Sequence, residues 1–167
     1  MRSRLAFALL ASVGLSAEAC KGIPEDSSMD NASLSDRRIA ALRSAYDAFN
    51  RGDMDSAVEF LDPHVDWSEP AEFPGGGTYI GPDAVKHYLS QSRAAWAECR
   101  SDPEQLIPIG NRVVVYVHAQ VRAKDSHAYQ DILLADVYTF RDDRVIEMRA
   151  FADRREALRW AKSGPAL

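Results

Sequence analysis

Apolar positions recur along this chain at two spacings, and the helical one gives way to alternation in the second half. Ile39, Leu42, Tyr46 and Phe49 follow one another at three- and four-residue intervals, which predicts a helix over 36–49 with Ser35 as N-cap and Asn50-Arg51-Gly52 as its end. A short helix over 54–61 turns Ala57, Val58 and Leu61 inward, and Pro63 stops it. Val65, Trp67 and Glu69 alternate with Asp66 and Ser68 as in a strand, until Pro70 breaks the pattern. A loop at Gly75-Gly76-Gly77 and a brief strand at 78–80 follow. Gly81-Pro82 then opens a third helix, whose buried stripe is Val85, Leu89 and Trp96. Runs rich in β-branched and aromatic residues at 105–109, 112–122, 129–140 and 145–151 are divided by Gly110-Asn111, Lys124-Asp125-Ser126 and Asp142-Asp143. They predict an antiparallel meander. A last helix starts at Asp153, with Glu156 completing a capping box, and ends near Gly164. Helices first and strands afterwards is an α+β order: one domain over 34–163, with three helices and a curved sheet around an apolar pocket.

Ahead of this domain, Arg2 and Arg4, the apolar run from Leu5 to Leu15 and Ala17-Glu18-Ala19 have the make-up of a signal peptide over 1–19. The apolar run is too short to span a membrane. Residues 20–33 read as a polar linker and 164–167 as a tail. An export leader implies an exported or periplasmic protein, whereas translation from Met29 would give a cytoplasmic one. Cys20 is the thiol that a lipid anchor would modify.

The 167 residues carry a net charge of -5 and 46% hydrophobic side chains, an ordinary globular composition with no basic cluster for nucleic acid. Arg37-Arg38 and Arg154-Arg155 fall in helical patterns and read as solvated faces. The two cysteines, Cys20 and Cys99, lack the spacing of a metal site, and no pair of histidines has it either. No phosphate-cradling loop or nucleophile elbow is present, so neither metal nor cofactor is expected.

Four stretches carry a family resemblance: 45–53 (Ala-Tyr-Asp-Ala-Phe-Asn-Arg-Gly-Asp), 61–67 (Leu-Asp-Pro-His-Val-Asp-Trp), 77–85 (Gly-Thr-Tyr-Ile-Gly-Pro-Asp-Ala-Val) and 136–143 (Asp-Val-Tyr-Thr-Phe-Arg-Asp-Asp). Together they resemble the SnoaL-like proteins of the superfamily that also holds nuclear transport factor 2 and the ketosteroid isomerases. The resemblance spans about 36–162. It implies a cone-shaped α+β barrel, with three N-terminal helices on a strongly curved, mostly antiparallel sheet and a short C-terminal helix. It also implies that Glu69 stands where ketosteroid isomerases keep their general base, and Asp136 where they keep the acid that donates to an oxyanion. The tyrosine those enzymes place beside that acid falls on Ala45. Tyr46 is one residue on, about 100° around the helix, which predicts an incomplete oxyanion hole.

The residues themselves lead to the same acids. Alternation puts Asp136 on one strand face with Ile132, Leu134, Tyr138 and Phe140, and Glu69 on a face with Val65 and Trp67. Carboxyls in apolar surroundings favour the neutral form, and two of them in one cavity can divide into a base and an acid. An inner-face acid can equally serve as an internal hydrogen-bond partner of a tyrosine or a backbone group. Val113, Val115, Val117, Ala119 and Val121 form an unbroken inner face, and Ile146, Met148 and Ala150 continue it on the last strand. The expected pocket wall is Tyr46, Trp67, Tyr79, Val117, Ala119, Tyr138 and Met148, with Trp96 in the core. Val114, Tyr116, His118 and Gln120 form the outer face, expected to dock on a second copy as a homodimer. His64, His87 and His127 are expected at the surface. The reading is a binder of a small apolar molecule, either a proton-transfer enzyme using Glu69 and Asp136 or a non-catalytic binding or dimerising module.

Overall fold

The computed structural model describes residues 26–163; the leader, Cys20 and the tail lie outside the described residues. The chain runs α1 (Asp26–Arg51), α2 (Met54–Val58), β1 (Leu61–Glu69), β2 (Gly77–Ile80), α3 (Pro82–Ala94), β3 (Glu98–Ile109), β4 (Arg112–Arg122), β5 (Tyr129–Arg141), β6 (Arg144–Phe151) and α4 (Arg154–Ser163). The strands make one six-stranded sheet in the order β2-β1-β6-β5-β4-β3. Every pairing is antiparallel except β1 with β6. Helices packed on this curved sheet, with a fourth at the end, form the cone-shaped α+β fold expected from the chain.

The two sheet faces bury different cores. On the inner face Leu42 and Tyr46 of α1 and Val85 and Tyr88 of α3 pack against Val65, Trp67, Val113, Val115, Val117, Tyr138, Phe140 and Met148. On the outer face α4 lays Ala157 and Ala161 against Val114, Ala135, Val137 and Phe151, with Tyr116 and Trp160 beside them. Asp153 caps α4: its Oδ1 accepts the N–H groups of Arg155 (2.7 Å) and Glu156 (3.0 Å). The outer face expected to meet another copy is therefore covered in part by the chain's own last helix. Buried Arg112 fastens it there, donating to the Ala161 carbonyl (3.2 Å) and lying 4.6 Å over the Trp160 ring.

Several boundaries differ from the sequence expectation. α1 starts at Asp26 and runs through Ser35, so part of the expected linker is helical and Ser35 caps nothing. Pro24 precedes it, and no glycine or proline interrupts it before Arg51. α2 ends at Val58 and Leu61 already belongs to β1, with Pro63 tolerated because the β1–β6 register shifts between Leu61 and Asp66. Trp96 lies beyond the end of α3 at Ala94. β3 begins at Glu98, earlier than its polar sequence suggests; as an edge strand it needs no apolar alternation and accommodates Pro103 and Pro108.

In β6 the register shifts opposite Thr139 and Phe140, so Val145 points into the inner core and Ile146 becomes the extra residue of a bulge. The basic pairs are not simply solvated. Arg38 is buried, donating twice to the Asp142 carbonyl (3.1 and 2.8 Å) and lying 5.0 Å over Phe140. Arg154 donates to the carbonyls of Leu134 (3.2 Å) and Val117 (2.7 Å), and to Glu104 (2.8 Å).

Candidate functional site

Between the inner sheet face and α1–α3 lies a cavity of about 370 Å³. Its walls are mostly apolar or aromatic: Phe49 from α1, Phe60, Trp67 from β1, Tyr88 and Leu89 from α3, Val117, Ala119 and Val121 from β4, and Leu134 and Tyr138 from β5. Into this wall come two strand carboxyls, Glu69 at the end of β1 and Asp136 in the middle of β5, while the exposed Glu72 of the following loop adds a third at the lining. Strand parity puts each acid on the inner face, two residues from an aromatic on the same face: Trp67 for Glu69, Tyr138 for Asp136. The Gly75–Gly77 loop closes beside them. A Cβ on Gly76 would come within 2.1 Å of the Pro70 carbonyl oxygen, so only glycine lets the chain fold back there.

Each acid has an aromatic donor. The Trp67 indole N–H donates to Glu69 Oε1 at 2.8 Å. The Tyr46 hydroxyl donates to Asp136 Oδ2, and Tyr138 donates to Tyr46 at 3.1 Å, making a relay from β5 through α1 back to β5. Tyr46 thus reaches Asp136, its hydroxyl spent on that carboxyl, while Ala45 holds the position the resemblance implies for a tyrosine. Ala45 and Tyr46 both line the cavity, because the buried stripe of α1 is wider than the 100° that separates them.

Burial sets the electrostatics. Removal from water raises the Asp136 carboxyl to about 6, against the pull of the Tyr46 hydrogen bond. Burial, reinforced by the charge of Asp136, raises Glu69 to about 8, with Trp67 and the neighbouring Tyr88 hydroxyl opposing it. Burial and the adjacent carboxyls push the hydroxyls of Tyr46, Tyr138 and Tyr88 upward, so all three stay protonated donors. Both carboxyls therefore lie above the ordinary carboxylate range, so near pH 7 the two can hold one proton between them.

Of the expected wall residues, Tyr46, Trp67, Val117, Ala119 and Tyr138 line the cavity; Met148 and Tyr79 do not. Met148 is the register neighbour of both Trp67 and Tyr138, whose rings meet edge to face with centroids 6.1 Å apart, and it is fully buried. Tyr79 stacks behind Tyr88 at 4.5 Å and donates to the Gly75 carbonyl at 2.5 Å, backing the wall rather than forming it. Trp96, expected in the core, is a half-buried wall residue. It separates this cavity from a more polar hollow of about 600 Å³ bordered by Arg93, Glu98, Arg100 and Gln120. Cys99 is a free thiol on the same partition. Tyr88, the neighbour of Glu69, is a site residue that the expected stripe of Val85, Leu89 and Trp96 leaves out, although it lies three residues after Val85 on the buried face of α3.

His118 lies on the outer face as expected, 2.7 Å from Asp131 and 3.8 Å from Glu104. His64, His87 and His127 are exposed. Among the described residues no cluster of His, Cys, Asp or Glu could hold a metal ion, and no helix is long and apolar enough to cross a membrane.

A curved α+β cone closing helices over an acid-bearing apolar cavity is the architecture of the nuclear transport factor 2-like superfamily. Residues 42–148 match the model of the SnoaL-like domain, and the chain belongs to that family. No curated protein sequence matches it. Among solved structures it is similar to a nuclear transport factor 2-like protein of unknown function from Burkholderia pseudomallei. That match has 27% identity and a TM-score of 0.64, covering 74% of this chain and 95% of that one. TerC, co-crystallised with polyporic acid, shares 23% identity at a TM-score of 0.63, covering 75% and 98%. The epoxide hydrolase/cyclase-like SalBIII, described in pyran ring formation in the polyether salinomycin, shares 21% identity at 0.59, covering 70% and 90%. The last two likenesses speak for the fold alone.

Proposed function

We propose that the chain binds an apolar small molecule in this cavity and moves a proton on it by carboxylate acid–base chemistry, as a cofactor-independent enzyme of isomerase, cyclase or hydrolase type. The observation that carries this reading is the pair of carboxyls, raised to about 6 and about 8, on one apolar wall. Such a pair supplies a base and an acid together near neutral pH. In this reading Asp136, ionised and held by Tyr46, takes the proton. Glu69, protonated, donates to the oxygen on which charge develops. The alternative, a non-catalytic binding or dimerising module, draws support from the alanine at position 45 and from the export leader; the hydrogen bond from Tyr46 to Asp136 favours the catalytic reading.

The test needs no known substrate. Apolar cyclic ketones are incubated with the protein in D₂O, and deuterium entering beside the carbonyl is followed by NMR. Exchange above the protein-free rate that falls at least ~100-fold in Asp136→Asn, within the usual worth of a general base, supports the reading. Exchange unchanged in both Asp136→Asn and Glu69→Gln refutes it. Two accompanying proposals complete the reading: export through the 1–19 leader, and pairing of two copies over the strip of outer face left open by α4, where Leu133 is 56% exposed.

A further inference from the structure

The lining of the main cavity contains three carboxyls (Glu69, Glu72 and Asp136), several hydroxyls and a largely aromatic and aliphatic wall, but among the described residues no lysine, arginine or histidine. The Arg93 guanidinium borders the other hollow, donates to the Cys99 carbonyl at 2.8 Å and lies 5.8 Å over the Phe49 ring. A buried anion must find a cationic or N–H partner to repay its lost hydration. The N–H groups on this wall are scarce, and the Trp67 indole is already bonded to Glu69. The surroundings favour the opposite charge. Of the two oxygens of Asp136, Oδ2 accepts from Tyr46, while among the described residues no donor reaches Oδ1. Tyr46, Trp67, Tyr88 and Tyr138 stand around the acids, and electron-rich ring faces attract ammonium groups.

We propose that the cavity selects its occupant by charge, admitting a small amine with an aromatic or aliphatic body in its protonated form and refusing carboxylates and phosphates. The ammonium would donate to Asp136 Oδ1, and the body would lie toward Phe49, Leu134 and Val121. This rests on the cavity and not on turnover, so a bound amine need not be a substrate.

The test is calorimetric titration of the full-length protein at pH 7.5 with three ligands that share a ring system and differ in charge: 2-(2-naphthyl)ethylamine, 2-(2-naphthyl)ethanol and 3-(2-naphthyl)propanoate. The amine is expected to bind about tenfold or more tightly than the alcohol, the return of one charge-assisted hydrogen bond, and the carboxylate more weakly than either. Asp136→Asn is expected to bring the amine to the affinity of the alcohol while leaving the alcohol within about threefold. A carboxylate that binds as well as the amine overturns the proposal, as does an amine preference that survives in Asp136→Asn. Should that variant fail to fold, the ranking of the three ligands on the unaltered protein decides alone. Loss of amine selectivity alongside intact deuterium exchange would sink this inference only; selective amine binding without exchange would sink the catalytic reading only.

Discussion

Replacing Glu69 by glutamine isolates the energetic strain built into the cavity. A free glutamate ionises near 4.5, whereas burial and the neighbouring Asp136 raise Glu69 to about 8. The folded chain therefore holds this proton over a range of pH in which the unfolded chain has lost it. Stability from a group raised in this way is fully present below the unfolded value and is lost as the pH rises through the folded one. Between pH 5 and pH 9 the wild-type protein should lose on the order of 4 kcal/mol on this account, since each pH unit in that window costs about 1.4 kcal/mol. That is a large part of the 5–15 kcal/mol typical of a whole domain. Glutamine cannot ionise and keeps an oxygen for the Trp67 N–H. Urea unfolding of both proteins at pH 5 and pH 9 gives the check. Ionisations elsewhere cancel in the comparison, so the pH-dependent loss should be smaller in Glu69→Gln by about 4 kcal/mol. Equal losses within about 1 kcal/mol, a margin close to the error of extrapolation, would refute the claim that Glu69 is held protonated by its surroundings.

Other expectations follow from the same geometry. Tyr46→Phe removes the donor to Asp136, and a hydrogen bond to a charged group is worth about 1.5–3 kcal/mol, so the Asp136 titration should move upward from about 6 by one pH unit or more. Carbon-13 NMR of labelled aspartate reads this directly, and an unmoved titration would count against the relay. Met148→Ala, beneath Trp67 and Tyr138, should cost about 2–5 kcal/mol in urea unfolding. A cost below ~1 kcal/mol would mean that the site is not tightly packed. Leu133→Lys should shift light-scattering mass from dimer to monomer if two copies meet over the open outer strip; a monomeric wild-type protein would dispose of that association.

Local chemistry made most of the architecture legible. The period of Leu42, Tyr46 and Phe49 marks a helix, and the alternation of β4 and β5 needs only side-chain parity. The turns at Gly110-Asn111 and Asp142-Asp143 need only local backbone preference. Parity also put Asp136 and Glu69 on inner faces, because a strand has only two. It was insufficient wherever pairing partners change the count. The bulge in β6 brought Val145 inward in place of Ile146, and β3 runs as a strand without apolar alternation because it lies at an edge.

The chemistry of the cavity depended on contacts between residues far apart in the chain. Tyr46 meets Asp136 across a separation of 90 residues, and no spacing rule on α1 reveals that. Met148 was an inner-face residue by pattern and a buried one in fact, since Trp67 and Tyr138 close over it from neighbouring strands. The sequence by itself determined which side chains could face inward, through periodicities of a few residues. Only the tertiary structure decided which of them reach the cavity, that burial raises both acids, and that the Tyr46 hydroxyl holds Asp136. Burial and charge coupling are sums over neighbours that the chain brings together only on folding.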